Sequence, residues 1–165
     1  MTNRNSAQIA NLVATPKVKN DSHINGVVHW AAGYVANAAD DASASIFRFC
    51  RVPSSARVRS VQLTTGDASS AGAVDIGIYQ TAENGGAVVD ADLFAAALAL
   101  TGGPFVNSEQ IAASGELTVA ERIMPLWQVL GLTADPNIEY DVAATITTTF
   151  NGAAVGQLLE VNYVV

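Results

Sequence analysis

The sequence predicts a mainly β protein: an antiparallel β-sandwich of jelly-roll type, with two short helical insertions and an N-terminal arm. Three observations carry this. Segments of alternating polar and apolar residues recur at short, regular spacing. Clusters of Gly, Asn, Asp and Pro punctuate them. The hydrophobic period changes from strand-like to helical at only two places.

Residues 1–26 read as an arm. They are rich in Asn, Ser, Lys and Thr, and they carry Arg4, Lys17 and Lys19. Ile9, Leu12 and Val13 are more apolar than a solvated tail requires, which marks them as candidate contacts for an arm that orders on a neighbouring subunit. The sandwich domain is expected over 27–165. Val27–Ala36 is its first strand, followed by a turn-type loop, Asn37–Ser43. In Ser45–Val52 strict alternation places Ile46, Arg48 and Cys50 on one face and Phe47, Phe49 and Arg51 on the other. Pro53-Ser54-Ser55 ends that strand, and Arg57–Thr65 alternates again. Val74–Gln80 follows, with Gly77 marking a bulge or a close backbone contact. Asn84-Gly85-Gly86 is a turn.

Asp90–Leu100 reads as a helix, N-capped by Asp90 or Asp92 and stopped by Gly102-Gly103. Thr118–Leu130 holds the second helical piece, with Pro125 suited to a first turn and Gly131 to the C-cap. Asp135-Pro136-Asn137 makes a turn. Glu139–Phe150 and Val155–Val165 are the last strands, with Asn151-Gly152 between them in a hairpin context.

Composition narrows the function. The chain has 165 residues, enough for one self-supporting core. Half of them are hydrophobic, without a run long enough for a membrane helix. The first residues lack a signal-peptide core, so synthesis and assembly in a cytoplasm are expected. A net charge of −7 with eight Lys plus Arg is unsuited to general nucleic-acid binding. Cys50 is the single cysteine, so no internal disulfide forms, and a small buried hydrophobe is the expected role.

Chemistry-bearing motifs are absent from the sequence. His23 and His29 have no ligand spacing, and the acid pairs Asp40-Asp41 and Asp90/Asp92 match no EF-hand loop. There is no G-x-S-x-G element, and Gly85-Gly86 and Gly102-Gly103 lack a phosphate-loop context. No catalytic, cofactor or metal residue is therefore assigned. Sugar stacking is the rival binding function, through Trp30, Trp127, Tyr34, Tyr79, Tyr140 or Tyr163, although most of these aromatics are needed for the core. Arg48, Arg51, Arg57 and Arg59 place four of the eight cations within twelve residues. They suit salt bridges to nearby acids, or a subunit or capsid contact through arginine–carboxylate pairs.

Four segments taken in order, Phe49–Leu63 (FCRVPSSARVRSVQL), Val74–Tyr79 (VDIGIY), Val88–Phe94 (VVDADLF) and Leu126–Thr147 (LWQVLGLTADPNIEYDVAATIT), resemble small tailed-phage and prophage structural proteins of the capsid decoration or cement kind. The resemblance runs from about Ser45 to Val165. It implies a β-sandwich or jelly-roll body in a symmetric oligomer, expected to be a homotrimer, seated at local threefold positions of the shell. It also implies the major capsid protein as partner and the virion surface as location. It transfers no individual functional residue. The expectation is a non-enzymatic virion protein that binds the outside of the capsid and stabilises it, with no cofactor, nucleic acid or membrane partner. A tail, fibre or head-completion component, or a carbohydrate-binding sandwich, are the alternatives.

Overall fold

A computed structural model of the chain describes residues 15–16, 27–36, 38, 41–66, 72–101, 108–111, 117–149 and 156–165. The expected arm lies outside the described residues except for Thr15 and Pro16, and with it the candidate contacts Ile9, Leu12 and Val13; Asn151-Gly152 lies outside them too.

Among the described residues, eight strands form two four-stranded antiparallel sheets. They are β1 (Val28–Ala36), β2 (Ile46–Pro53), β3 (Arg57–Thr65), β4 (Ala73–Gln80), β5 (Val88–Ala99), β6 (Ser108–Glu109), β7 (Glu139–Thr148) and β8 (Gly156–Val164). One sheet runs β1-β8-β3-β6 and the other β2-β7-β4-β5. Thus β1 pairs with β8, β2 with β7, β3 with β6 and β4 with β5. The first half of the chain nests against the second, in pairs that alternate between sheets. Pairing of β3 with β8 and of β4 with β7 completes each sheet. This order is the eight-stranded double-sheet jelly roll.

The two inner faces meet in one core. Val58, Val61, Leu63, Leu159 and Val161 come from the first sheet; Val74, Ile76, Ile78, Phe94, Val142, Ala144 and Ile146 come from the second. Strand alternation supplies these side chains from each β segment in turn.

Three local expectations are corrected. The helix expected over Asp90–Leu100 is instead part of β5. Its pairing with β4 jumps from Ile78↔Asp90 to Ile76↔Ala95, so five steps on β5 oppose two on β4. Leu93 and Phe94 enter the core from within this excess. Burying them against β4 outweighs the helical propensity of the alanines, a preference worth only tenths of a kcal/mol per residue. The hairpin expected around Asn151-Gly152 does not join paired strands, because β7 and β8 lie in different sheets. β7 ends at Thr148 in one sheet and β8 begins at Gly156 in the other. The third correction is the face assignment of β2. Its register with β7 shifts between Arg48 and Cys50, so Phe49 is an extra, bulged residue. Phe47, Phe49 and Cys50 pack against the core, while Arg48 and Arg51 are both exposed.

The second helical piece holds a 3₁₀ turn, Glu121–Ile123, and one α turn, α1 (Leu126–Val129). Pro125 is the N-cap of α1 rather than its first residue. Gly131, with φ 72°, follows the turn and takes the left-handed conformation that closes it: Gly131 N–H bonds the Gln128 carbonyl and Leu132 N–H that of Trp127, each at 2.9 Å. The turn is tied to the β2–β3 link, with Leu126 N–H on the Ala56 carbonyl at 2.9 Å and Trp127 N–H on that of Ser54 at 3.1 Å.

Gly77 carries the close approach expected of it. A Cβ there would lie 2.1 Å from the Asp90 carbonyl oxygen, where β5 crosses it. Gly33 makes a second such contact: its Cβ would lie 1.8 Å from the carbonyl oxygen of Phe49, the bulged residue of β2. Here the edges of the two sheets pack backbone to backbone.

Candidate functional site

The two sheets present different outward faces. On the β2-β7-β4-β5 sheet the bulge at Phe49 brings Arg48 and Arg51 to one carboxylate. Arg48 Nη1 bonds Asp141 Oδ2 at 3.0 Å and Arg51 Nε bonds Asp141 Oδ1 at 2.8 Å. The Asp141 side chain is only 10% exposed, so each of its oxygens needs such a donor. Arg48 also donates to the carbonyls of Gln80 (2.9 Å) and Gly86 (2.8 Å), and its guanidinium lies 5.3 Å from the centre of the Tyr79 ring. Arg51 reaches Glu83 at 3.4 Å and Glu139 at 3.8 Å. These contacts raise the Arg51 pKa, first through its hydrogen bond to Asp141. The Glu83 carboxyl is lowered, first by a backbone hydrogen bond within its own residue, then by the Thr81 hydroxyl and the Arg51 charge.

A shallow depression of about 270 Å³ opens between Arg48, Phe49, Cys50, Arg51 and Asp141. Its thiol is not a nucleophile at neutral pH. Burial, and then the charge of Asp141, push the Cys50 pKa up to about 12. Its two guanidinium groups are already engaged by carboxylates and carbonyls of the same chain.

The other two candidate arginines sit on the other sheet. Arg57 donates to the Ile123 carbonyl, tying β3 to the 3₁₀ turn. Arg59 lies where β3 slips register against β8, between Val58 and Ser60, and is exposed. The structure therefore separates the four arginines into an internally paired couple and two residues of a different face. His29 stacks on Tyr163, with ring centres 5.4 Å apart; His23 lies outside the described residues.

The outward face of the β1-β8-β3-β6 sheet carries residues that sequence reasoning assigned mainly to the core. Trp30 is 63% exposed and Tyr34 68%. Both alternate with Ala32 on the same side of β1. The Trp30 indole N–H donates to Glu160 at 3.1 Å, and the Tyr34 ring covers Gly156, whose Cβ would meet the phenol oxygen at 2.6 Å. Both rings thus lean inward over β8. Val28, on the same strand, is 60% exposed. Tyr79 and Tyr140, by contrast, are buried.

Edge strands matter as much as faces. The sheet edges are β1, β6, β2 and β5. Three carry features that discourage pairing with another chain. β6 has two residues. β2 has a bulge, two arginines and a terminal proline. β5 has repeated register shifts and two aspartates. β1 is nine residues long, pairs with β8 without a shift, and holds no Pro, Lys, Arg, Asp or Glu.

Comparison with known proteins gives a likeness of fold. No family model matches the chain, and no curated protein matches it. Among solved structures, a chain of the cyanophage Pam1 capsid asymmetric unit is similar over 100% of both chains, with a TM-score of 0.52 and 16% sequence identity.

Proposed function

We propose that the chain is a phage virion structural protein that binds the outside of the capsid and stabilises it, as a decoration or cement protein. The observation that carries this is the eight-stranded jelly roll, similar along its full length to a chain of a phage capsid asymmetric unit. The sequence resemblance to decoration proteins and the lack of a catalytic motif support the same reading. In it the protein is not an enzyme. Copies associate as a homotrimer on the major capsid protein, and the arm 1–26 reaches a neighbouring capsomer and adds avidity. Each bound copy stabilises the assembled shell by mass action. A low density of charge suits flat packing between subunits.

The test is the copy number of the protein in purified virions, relative to the major capsid protein, by quantitative mass spectrometry. A shell-covering ratio and saturable binding to empty shells are expected. A few copies per particle would move the assignment to a tail, fibre or head-completion component. Absence from the particle would reject it.

A second reading, carbohydrate binding, draws on Trp30 and Tyr34, exposed beside Glu160 and Asn162. Sugars stack on such rings. Thermal stabilisation by a glycan, lost in Trp30→Ala, would favour it.

A further inference from the structure

We propose that β1 is a self-pairing edge: two copies of the chain join their β1 strands antiparallel across a twofold axis at Ala32, making one continuous eight-stranded sheet. The argument starts from the contrast among the four edges. An unpaired strand edge offers a row of backbone donors and acceptors, and folded proteins blunt such edges with shortness, bulges, charge or proline. Every other edge here uses one or more of these devices. Among the described residues nothing pairs with the free side of β1.

The sequence of β1 is self-complementary in this geometry. With Ala32 on the axis, Trp30 of one copy faces Tyr34 of the partner subunit, and Val28 faces Ala36 of the partner subunit. Aromatic pairs directly opposite one another are among the more favourable cross-strand pairs, and Trp and Tyr are the side chains most enriched at contact hot spots. The residues around the axis are Ala31, Ala32 and Gly33, which allow close approach. Both rings lean over β8, toward Glu160 and Gly156, and so away from the free side of β1, while the β2 backbone at Phe49 meets the opposite, inward face at Gly33.

Charge favours a second copy at this edge over β2 or β5. Each copy carries a net charge of −7, so most ways of joining two copies oppose like charges. Twofold pairing through β2 would gather the arginines Arg48 and Arg51 of both copies; pairing through β5 would gather Asp90 and Asp92. β1 contributes no charge. On a shell, such twofold contacts would link neighbouring oligomers. That placement rests on the decoration reading, whereas the pairing itself belongs to the isolated chain.

The experiment uses the purified full-length chain without capsids. Ala32→Lys places two lysines face to face on the axis, while within its own copy the lysine sits opposite Glu160 on β8, and circular dichroism checks that the variant is folded. Sedimentation is expected to show a wild-type species whose mass is halved by Ala32→Lys. In a Cys50→Ser background, Ala32→Cys is expected to form a disulfide-linked dimer under mild oxidation, because opposed residues bring their Cβ atoms within about 5 Å. Ala36→Cys, opposite Val28, is expected to crosslink at least tenfold more slowly. A mass unchanged by Ala32→Lys, or equal crosslinking at the two positions, overturns the proposal. Because no capsid is present, these outcomes are independent of virion copy number, which tests the decoration reading.

Discussion

The outward face of the β2-β7-β4-β5 sheet and that of the β1-β8-β3-β6 sheet solve opposite problems. On the first, a buried carboxylate, Asp141, is enclosed by two arginines that are themselves held by backbone carbonyls and a tyrosine ring. Its polar groups are satisfied inside one chain. On the second, Trp30 and Tyr34 keep most of their surface open on an edge strand that, among the described residues, carries no pairing defences. A cluster of charge in a sequence draws attention as a contact site, yet here the conspicuous charges are turned on one another. The edge strand proposed to meet a second copy is one without charge. Buried charge demands a partner nearby, whereas apolar surface can wait for one.

The largest effect should come from the point where the two sheets touch. Gly33→Val puts a side chain into the backbone of Phe49, whose carbonyl oxygen lies 1.8 Å from the Cβ position. Neither strand can yield without breaking its own ladder. A loss of about 3 kcal/mol or more is expected by chemical denaturation, at the upper end for overpacking. A variant that unfolds like the wild type would mean that the edges of β1 and β2 do not meet in this way.

Next in size is Asp141→Asn, which leaves Arg48 and Arg51 facing a neutral amide. Removing one partner of a fully buried pair costs about 3–5 kcal/mol. Both guanidinium groups are partly exposed here, with side-chain exposures of 33% and 42%, and solvent screening reduces the cost to about 2 kcal/mol. The loss should shrink when Arg48 is also replaced, in a double-mutant cycle. Additive effects would show that Asp141 and Arg48 do not act together.

These two sites also show what the sequence made legible. Alternation located β2, β3, β4, β7 and β8 to within two residues of their observed ends, and Gly77 was readable because a glycine inside a strand has few other reasons to be there. Three features depended on information that alternation lacks. The bulge at Phe49 reverses the parity of β2, so the pairing of Arg48 and Arg51 on Asp141 was hidden; one extra residue exchanges the faces of everything after it. β5 looked helical because Ala91–Ala99 is alanine-rich, and its fate is decided by β4, far away in sequence. Trp30 and Tyr34 share a parity, but parity does not say which side is inward. The backbone contact at Gly33 settles that, and glycine in an alanine-rich strand gave little warning of it.

Trp30→Ala should have the smallest effect on the isolated fold, and it sharpens the contrast most. The ring is 63% exposed, with one hydrogen bond from its indole N–H to Glu160. Truncating an exposed side chain away from the core usually moves stability by no more than about 0.5 kcal/mol. A stability loss well below that of Asp141→Asn is therefore expected by thermal or chemical denaturation. If β1 is a pairing edge, the same substitution removes a large aromatic from the centre of the contact, and dimer dissociation should accelerate while the monomer stays folded. A loss as large as that of Asp141→Asn would instead make Trp30 part of the chain's own packing, and the two outward faces would no longer differ in kind. Stability kept and association lost would separate them: one face completed within the chain, the other completed between chains.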